Sequence, residues 1–170
     1  VLHRAKEHNC VVLIDIEDTP YTDTTLAIHQ AMLDLGYTHD TFGMAVQSYL
    51  FRAEADLKSL LEQKTRIRLV KGAYKEPSTV AYQHKTEVDT AFRRLTELLL
   101  DDGTYPALAT HDPALIEQAR TYAAAHGIAH DRFEFQMLYG VRRDLQASLV
   151  QSGCRMRVYV PFGHEWFPYF

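Results

Sequence analysis

Short β-rich runs alternate with longer stretches of helical period along the whole chain. The β-rich runs are 11–16, 42–50, 67–70, 105–109, 132–136 and 156–160. Between them, apolar residues recur at helical spacing. One such segment follows Thr22 and Asp23, carries Leu26, Met32, Leu33 and Leu35 on one side, and stops at Gly36. Others span about 53–62 and 79–100. Pro113 opens a fourth, 114–126, which Gly127 closes; a fifth, 142–152, is closed by Gly153. Proline just inside the start and glycine just past the end are ordinary helix punctuation. Strand, helix, strand without hairpin signals predicts parallel βα units.

Six such units fit a doubly wound sheet or a (β/α)8 barrel. No GxGxxG follows the first strand, which lowers the dinucleotide-binding reading. The polar residues separate the two further. Asp15, Gln47, Lys71, Thr110, His111, Gln136 and Tyr159 all fall at or near the C-terminal ends of their strands. In a barrel those ends converge on one mouth, where the chemistry is found. A full barrel takes about 250 residues, so a chain of 170 predicts an α/β fold that is a partial TIM-type barrel. The expected organisation is one barrel domain, 1–170, incomplete at both ends. Six strands would leave two open sheet edges.

Composition then removes classes. With 46% hydrophobic and 24% charged residues, the chain can fill a sizeable core. A formal net charge of −4 builds no basic face, so nucleic acid is not an expected partner. No run approaches the roughly 18 apolar residues of a membrane span. The start, Val1-Leu2-His3-Arg4, is neither a signal nor a transit peptide and lacks an initiator methionine. A processed chain or a piece of a longer one is therefore expected. Cys10 and Cys154 are read as two buried thiols in a reducing compartment. The histidines show no metal-ligand spacing; His39, His84, His126, His130 and His164 are read as surface or loop residues. Asp18 and Asp23 precede helix signals and are read as N-cap residues.

The strand-end motifs carry a family resemblance. They are Leu13-Ile14-Asp15-Ile16-Glu17-Asp18, Val46-Gln47-Ser48-Tyr49-Leu50, Arg68-Leu69-Val70-Lys71-Gly72-Ala73-Tyr74, Ala109-Thr110-His111-Asp112, Phe133-Glu134-Phe135-Gln136-Met137-Leu138-Tyr139-Gly140 and Arg157-Val158-Tyr159-Val160-Pro161-Phe162-Gly163. In this order, one per βα unit, they resemble the catalytic domain of proline dehydrogenase, also part of bifunctional proline utilisation proteins. The resemblance implies that these are strands 3–8 of the family's barrel. It implies FAD-dependent oxidation of L-proline to Δ1-pyrroline-5-carboxylate, the first step of proline catabolism, with electrons passed to a quinone. It implies a cytoplasmic enzyme meeting the inner membrane peripherally in a bacterium, or the matrix side of the mitochondrial membrane in a eukaryote. The oligomeric state is left open.

Site roles follow residue by residue from the resemblance. Arg68 and Asp15 are the expected catalytic pair. A fixed guanidinium beside a flavin lowers the cost of the negative charge that hydride transfer brings. Asp15 is expected to hold cationic neighbours in place rather than to act as a strong base. Ile16, Gln47, Arg68, Lys71, Gly72, Ala73, Thr110, His111 and Gln136 are expected cofactor contacts. Gln47 suits the flavin's pyrimidine edge because an amide both donates and accepts. Asp15, Tyr74, Leu138, Tyr159 and Tyr169 are expected around the proline ring, where an apolar wall suits a small ring and excludes water. The family clamps the substrate carboxylate with two adjacent arginines on its last helix; this chain ends at Phe170, just before the expected pair. Its first strand, with a lysine near the substrate, is also absent. Arg93-Arg94 and Arg142-Arg143 are read as solvated helix faces instead. Two readings stand beside this one: another flavin barrel oxidoreductase, of methylenetetrahydrofolate reductase type, and a flavin-binding remnant without turnover.

Overall fold

The computed structural model describes residues 1–164. They form α1 (Leu2–Glu7), β1 (Val12–Ile14), α2 (Thr19–Asp34), β2 (Phe42–Gln47), α3 (Ala53–Glu62), β3 (Arg66–Val70), α4 (Lys85–Asp102), β4 (Ala107–Ala109), α5 (Pro113–Ala125), β5 (Glu134–Leu138), α6 (Arg143–Gln151) and β6 (Arg155–Tyr159). All five strand pairings are parallel, and the sheet order is β1-β2-β3-β4-β5-β6. Each helix returns the chain to the start of the next strand, so successive units lie side by side and the sheet curls into an incomplete barrel. The expected partial barrel is the observed fold.

The core lies between the sheet's convex face and the helices. Side chains alternate across a strand. In β3, Ile67 and Leu69 are buried against the helix layer, while Arg66, Arg68 and Val70 take the concave side. Leu108 of β4, Phe133 just before β5, and Phe135 and Met137 of β5 extend the same buried layer, packing with Leu95, Leu99, Leu115 and Ala119 of α4 and α5. β2 is buried throughout, whereas β6 is largely exposed.

Several sequence expectations are corrected by tertiary contacts. α4 begins at Lys85, not near residue 79. Residues 80–82 instead run alongside the turn after β2: Phe51 donates to Val80 O, Tyr82 donates to Tyr49 O, and Leu50 bridges Ala81 antiparallel. His84 then caps α4 in a capping box with Glu87. α2 starts at Thr19, after Asp18 at its N-cap; Asp23 lies inside the helix and pairs with Arg52 at 2.6 Å. The short α1 was not expected; too few residues carry its period. Both cysteines are free, but Cys10 is exposed, because the segment before β1 runs over the surface; only Cys154 is buried.

Candidate functional site

The strand tips build the site. Two adjoining cavities, of about 490 Å³ and 260 Å³, open where the carboxyl ends of β1 to β6 meet the loops that follow. The larger is walled by Asp15, Ile16 and Gln47 on one side, by Lys71, Gly72, Ala73 and Tyr74 along the turn after β3, and by Thr110 and His111 beyond β4. The smaller is walled by Gln136 and Leu138 of β5 and Tyr159 of β6. Asp15, Arg68 and His111 line both. Every site residue named above is thus gathered at one mouth except Tyr169, which lies outside the described residues.

Arg68 stands at the centre. Its Nη1 donates to Asp15 Oδ1 at 3.0 Å, and its Nε donates to Gln136 Oε1 at 2.9 Å. The guanidinium lies 5.6 Å from the Tyr159 ring centroid, within cation–π range. Its side chain is only 17% exposed, against 60% for Asp15. Three strands and one strand-end loop therefore fix one cation whose long stem would otherwise be free.

Gln47 is buried and donates through Nε2 to Ile16 O at 3.2 Å and Glu17 O at 3.1 Å. Its Oε1 is buried and has no partner among the described residues. A buried acceptor left unpaired is destabilising by about 1–3 kcal/mol, so this atom marks a place where a ligand's N–H is wanted. Gly72 has φ +118°, and a Cβ there would come within 2.4 Å of the Tyr49 ring. Only glycine lets this turn lie flat on Tyr49 and keep its backbone at the cavity.

The cations after β3 are balanced. Lys71 Nζ donates to Asp89 at 2.6 Å and to Asp112 at 3.2 Å. Lys85 bonds the same two carboxylates. Burial raises the Asp112 carboxyl, but hydrogen bonds from Lys71, the Ala114 N–H and Lys85 outweigh it and hold it at about 2. Asp112 also caps α5 through Ala114 N. Lys71 thus reaches the cavity with its charge already compensated.

His111 Nε2 accepts the Leu138 N–H at 2.9 Å, so the ring is neutral with its proton on Nδ1. Burial, with the nearby Arg142 charge, holds its pKa below the ordinary value. Thr110 is buried, and its hydroxyl accepts the Asp112 N–H. Tyr74 donates a short hydrogen bond to Glu17. Glu17 first, then desolvation, pushes the phenol up to about 12. The Thr19 N–H meets Glu76 at 2.6 Å, a second tie between the loop after β1 and the loop after β3. Glu17, Asp89 and Asp112 take part here, with Glu134 and Arg157 behind Gln136; the sequence motifs contain four of these five, but no role was read for any of them. The signal was available for Glu134, two residues before Gln136 and hence on the same strand face.

A parallel, curled sheet with ionic and amide side chains collected at its carboxyl tips is the mouth of a (β/α) barrel enzyme fold. Within that class, the chain belongs to the proline dehydrogenase family, whose family model matches residues 1–167. It is 44% identical to the proline dehydrogenase of Deinococcus radiodurans over 171 residues, covering 100% of this chain and 54% of that protein. It is 42% identical to proline dehydrogenase 2 of Bacillus subtilis over 170 residues, covering 100% of this chain and 55% of that one. The chain therefore spans about half the length of the curated relatives it matches. Among solved structures it is similar to proline utilization A from Bdellovibrio bacteriovorus inactivated by N-propargylglycine, with a TM-score of 0.87 at 30% identity over 95% of this chain and 19% of that one.

Proposed function

We propose that the chain provides the cofactor face of a proline dehydrogenase that uses FAD to oxidise L-proline to Δ1-pyrroline-5-carboxylate and passes the electrons to a quinone, met by peripheral contact with a membrane. The single observation that carries this reading is Arg68, a largely buried guanidinium held by Asp15 and Gln136 at the wall of both cavities. The residues present fit FAD. Gln47 offers a buried acceptor that has no partner among the described residues and suits an imide N–H, and the Gly72 turn brings bare backbone to the same cavity. Bound there, FAD would supply the acceptor for the hydride leaving the proline ring.

The protein's own groups do the rest. Arg68 is a preorganised cation for the negative charge that arrives with the hydride, which costs no reorganisation at that moment. Asp15, engaged by Arg68 and open to solvent, orients that cation and is a poor candidate for proton abstraction. Tyr74, Leu138 and Tyr159 supply a partly apolar wall that limits water around a small ring. Lys71, tied to Asp89 and Asp112, stiffens the turn that carries Gly72 and Ala73.

The test has two steps. FAD is titrated against the chain and binding followed by quenching of flavin fluorescence. The reading frame extended on both sides is then expressed, and L-proline or NADH is added without oxygen. Bleaching of the bound flavin by proline and not by NADH is expected. No flavin retained, or a flavin bleached by NADH alone, would overturn the proposal.

A further inference from the structure

Below Arg68 the concave face carries a relay that the proposed chemistry does not itself use. Glu134 and Gln136 lie two residues apart on β5 and so share a face, and Arg157 is the β6 register partner of Gln136. Arg157 donates to Glu134 twice, Nε to Oε1 at 2.6 Å and Nη2 to Oε2 at 2.9 Å. Gln136 Nε2 donates to Glu134 Oε1 at 2.7 Å, and Tyr105 Oη donates to Oε2 at 3.2 Å. The Glu134 residue is only 4% exposed. A carboxylate this buried is tolerated only when its lone pairs are satisfied, and here Arg157, Gln136 and Tyr105 satisfy them.

The consequence falls on Gln136. An amide has a donor end and an acceptor end of nearly equal shape, and nothing intrinsic decides which way round it sits. A carboxylate only accepts and a guanidinium only donates. Placed between them, the amide has one self-consistent orientation, with its NH₂ on Glu134 and its oxygen on Arg68 Nε. We infer that Glu134, with Arg157 as its counter-ion, is a positioning residue: through Gln136 it fixes the aim of Arg68 at the cavity. Asp15 is the other hydrogen-bonded tether, but its side chain is 60% exposed and less constrained. The inference rests on the reading of Arg68 given under Proposed function and extends it one layer down.

Glu134→Gln replaces the acceptor-only group with a second ambivalent amide and unpairs Arg157, which endangers folding. A second variant, Glu134→Gln with Arg157→Met, removes both charges of the pair and is expected to recover the melting temperature. The first measurement needs no cofactor: exchange of the Arg68 Nε–H with water, read by ¹⁵N NMR of the arginine side chains. Exchange about fivefold faster in the double variant, the loss of roughly one hydrogen bond, is expected. The second uses the chain loaded with FAD: affinity of the flavin for sulfite, which rises with positive charge beside the ring, is expected to fall in the same variant. A merely structural ion pair would see both readouts return with stability. An unchanged Arg68 Nε–H in a folded Glu134 variant overturns the inference. If the chain binds no flavin, the functional reading falls, yet the exchange measurement still decides the role of Glu134.

Discussion

Arg68 concentrates the single-residue questions because its guanidinium is held on two sides and lines both cavities. Replacing it by methionine keeps most of the stem's packing and removes the fixed cation. Loss of one preorganised charge donor typically slows a reaction by about 10²–10³. Arg68→Met in the extended protein is therefore expected to retain FAD while anaerobic flavin reduction by proline, followed by stopped flow, slows by about that factor. His111 makes a prediction in pH. Its neutral ring accepts the Leu138 N–H, and its folded pKa lies below the ordinary 6.5. The stabilisation is fully present above 6.5 and is lost as pH falls through the lower folded value. The protection factor of the Leu138 amide is expected to drop on acidification below that range in the wild type and to lose this step in His111→Asn. At this scale the sequence exposed the residues that end strands. It gave no role to Glu134 or Arg157, which stand in the strand motifs as charged positions until β5 and β6 pair and bring them to 2.6 Å.

Between β3 and α4, residues 71–84 form the element on which the larger cavity depends. Two ties bind this loop to the one after β1, Tyr74 to Glu17 and the Thr19 N–H to Glu76. Its first turn rests on the Tyr49 ring, and its base is clamped by the Lys71, Lys85, Asp89 and Asp112 cluster. Gly72→Ala forces a Cβ to within 2.4 Å of that ring at φ +118°. It is expected to weaken FAD binding, measured by titration, more than it lowers the melting temperature. Asp112 sets the element's response to acid. Its folded pKa of about 2 lies below the ordinary 3.8, so its contribution is complete above 3.8 and is lost as pH falls through 2. Asp112→Asn is expected to lower unfolding free energy by about 1–2 kcal/mol at neutral pH, after screening at this partly buried site. Urea midpoints of wild type and variant should converge near pH 2. The sequence pattern read 79–84 as helix because Val80 and Ala81 continue an apolar period. Backbone pairing with the turn after β2, across about thirty residues of chain, won instead.

The whole molecule is held by one layer of apolar side chains between the sheet and its helices. Leu108 is fully buried at the middle of it, on the shortest class of strand in the sheet. Leu108→Ala is expected to destabilise by about 2–5 kcal/mol, read from the denaturant midpoint, with the slope of the transition unchanged. The alternation of β-rich and helical segments, the punctuation by Pro113, Gly127 and Gly153, and the polar residues at strand ends were sufficient for the parallel order and for the mouth. They suffice because period and turn chemistry are local, and parallel strands joined by helices have few topologies open to them. Which charges meet was decided only by the register of the sheet. The Arg68–Gln136–Glu134–Arg157 relay joins residues up to 89 positions apart, from 68 to 157, and a sequence carries no local mark of a hydrogen bond made across three strands. The Gln47 oxygen, without a partner among the described residues, is of the same kind: its type is written in the chain, but its want of a partner exists only where Ile16 and Glu17 have taken the other end of the amide.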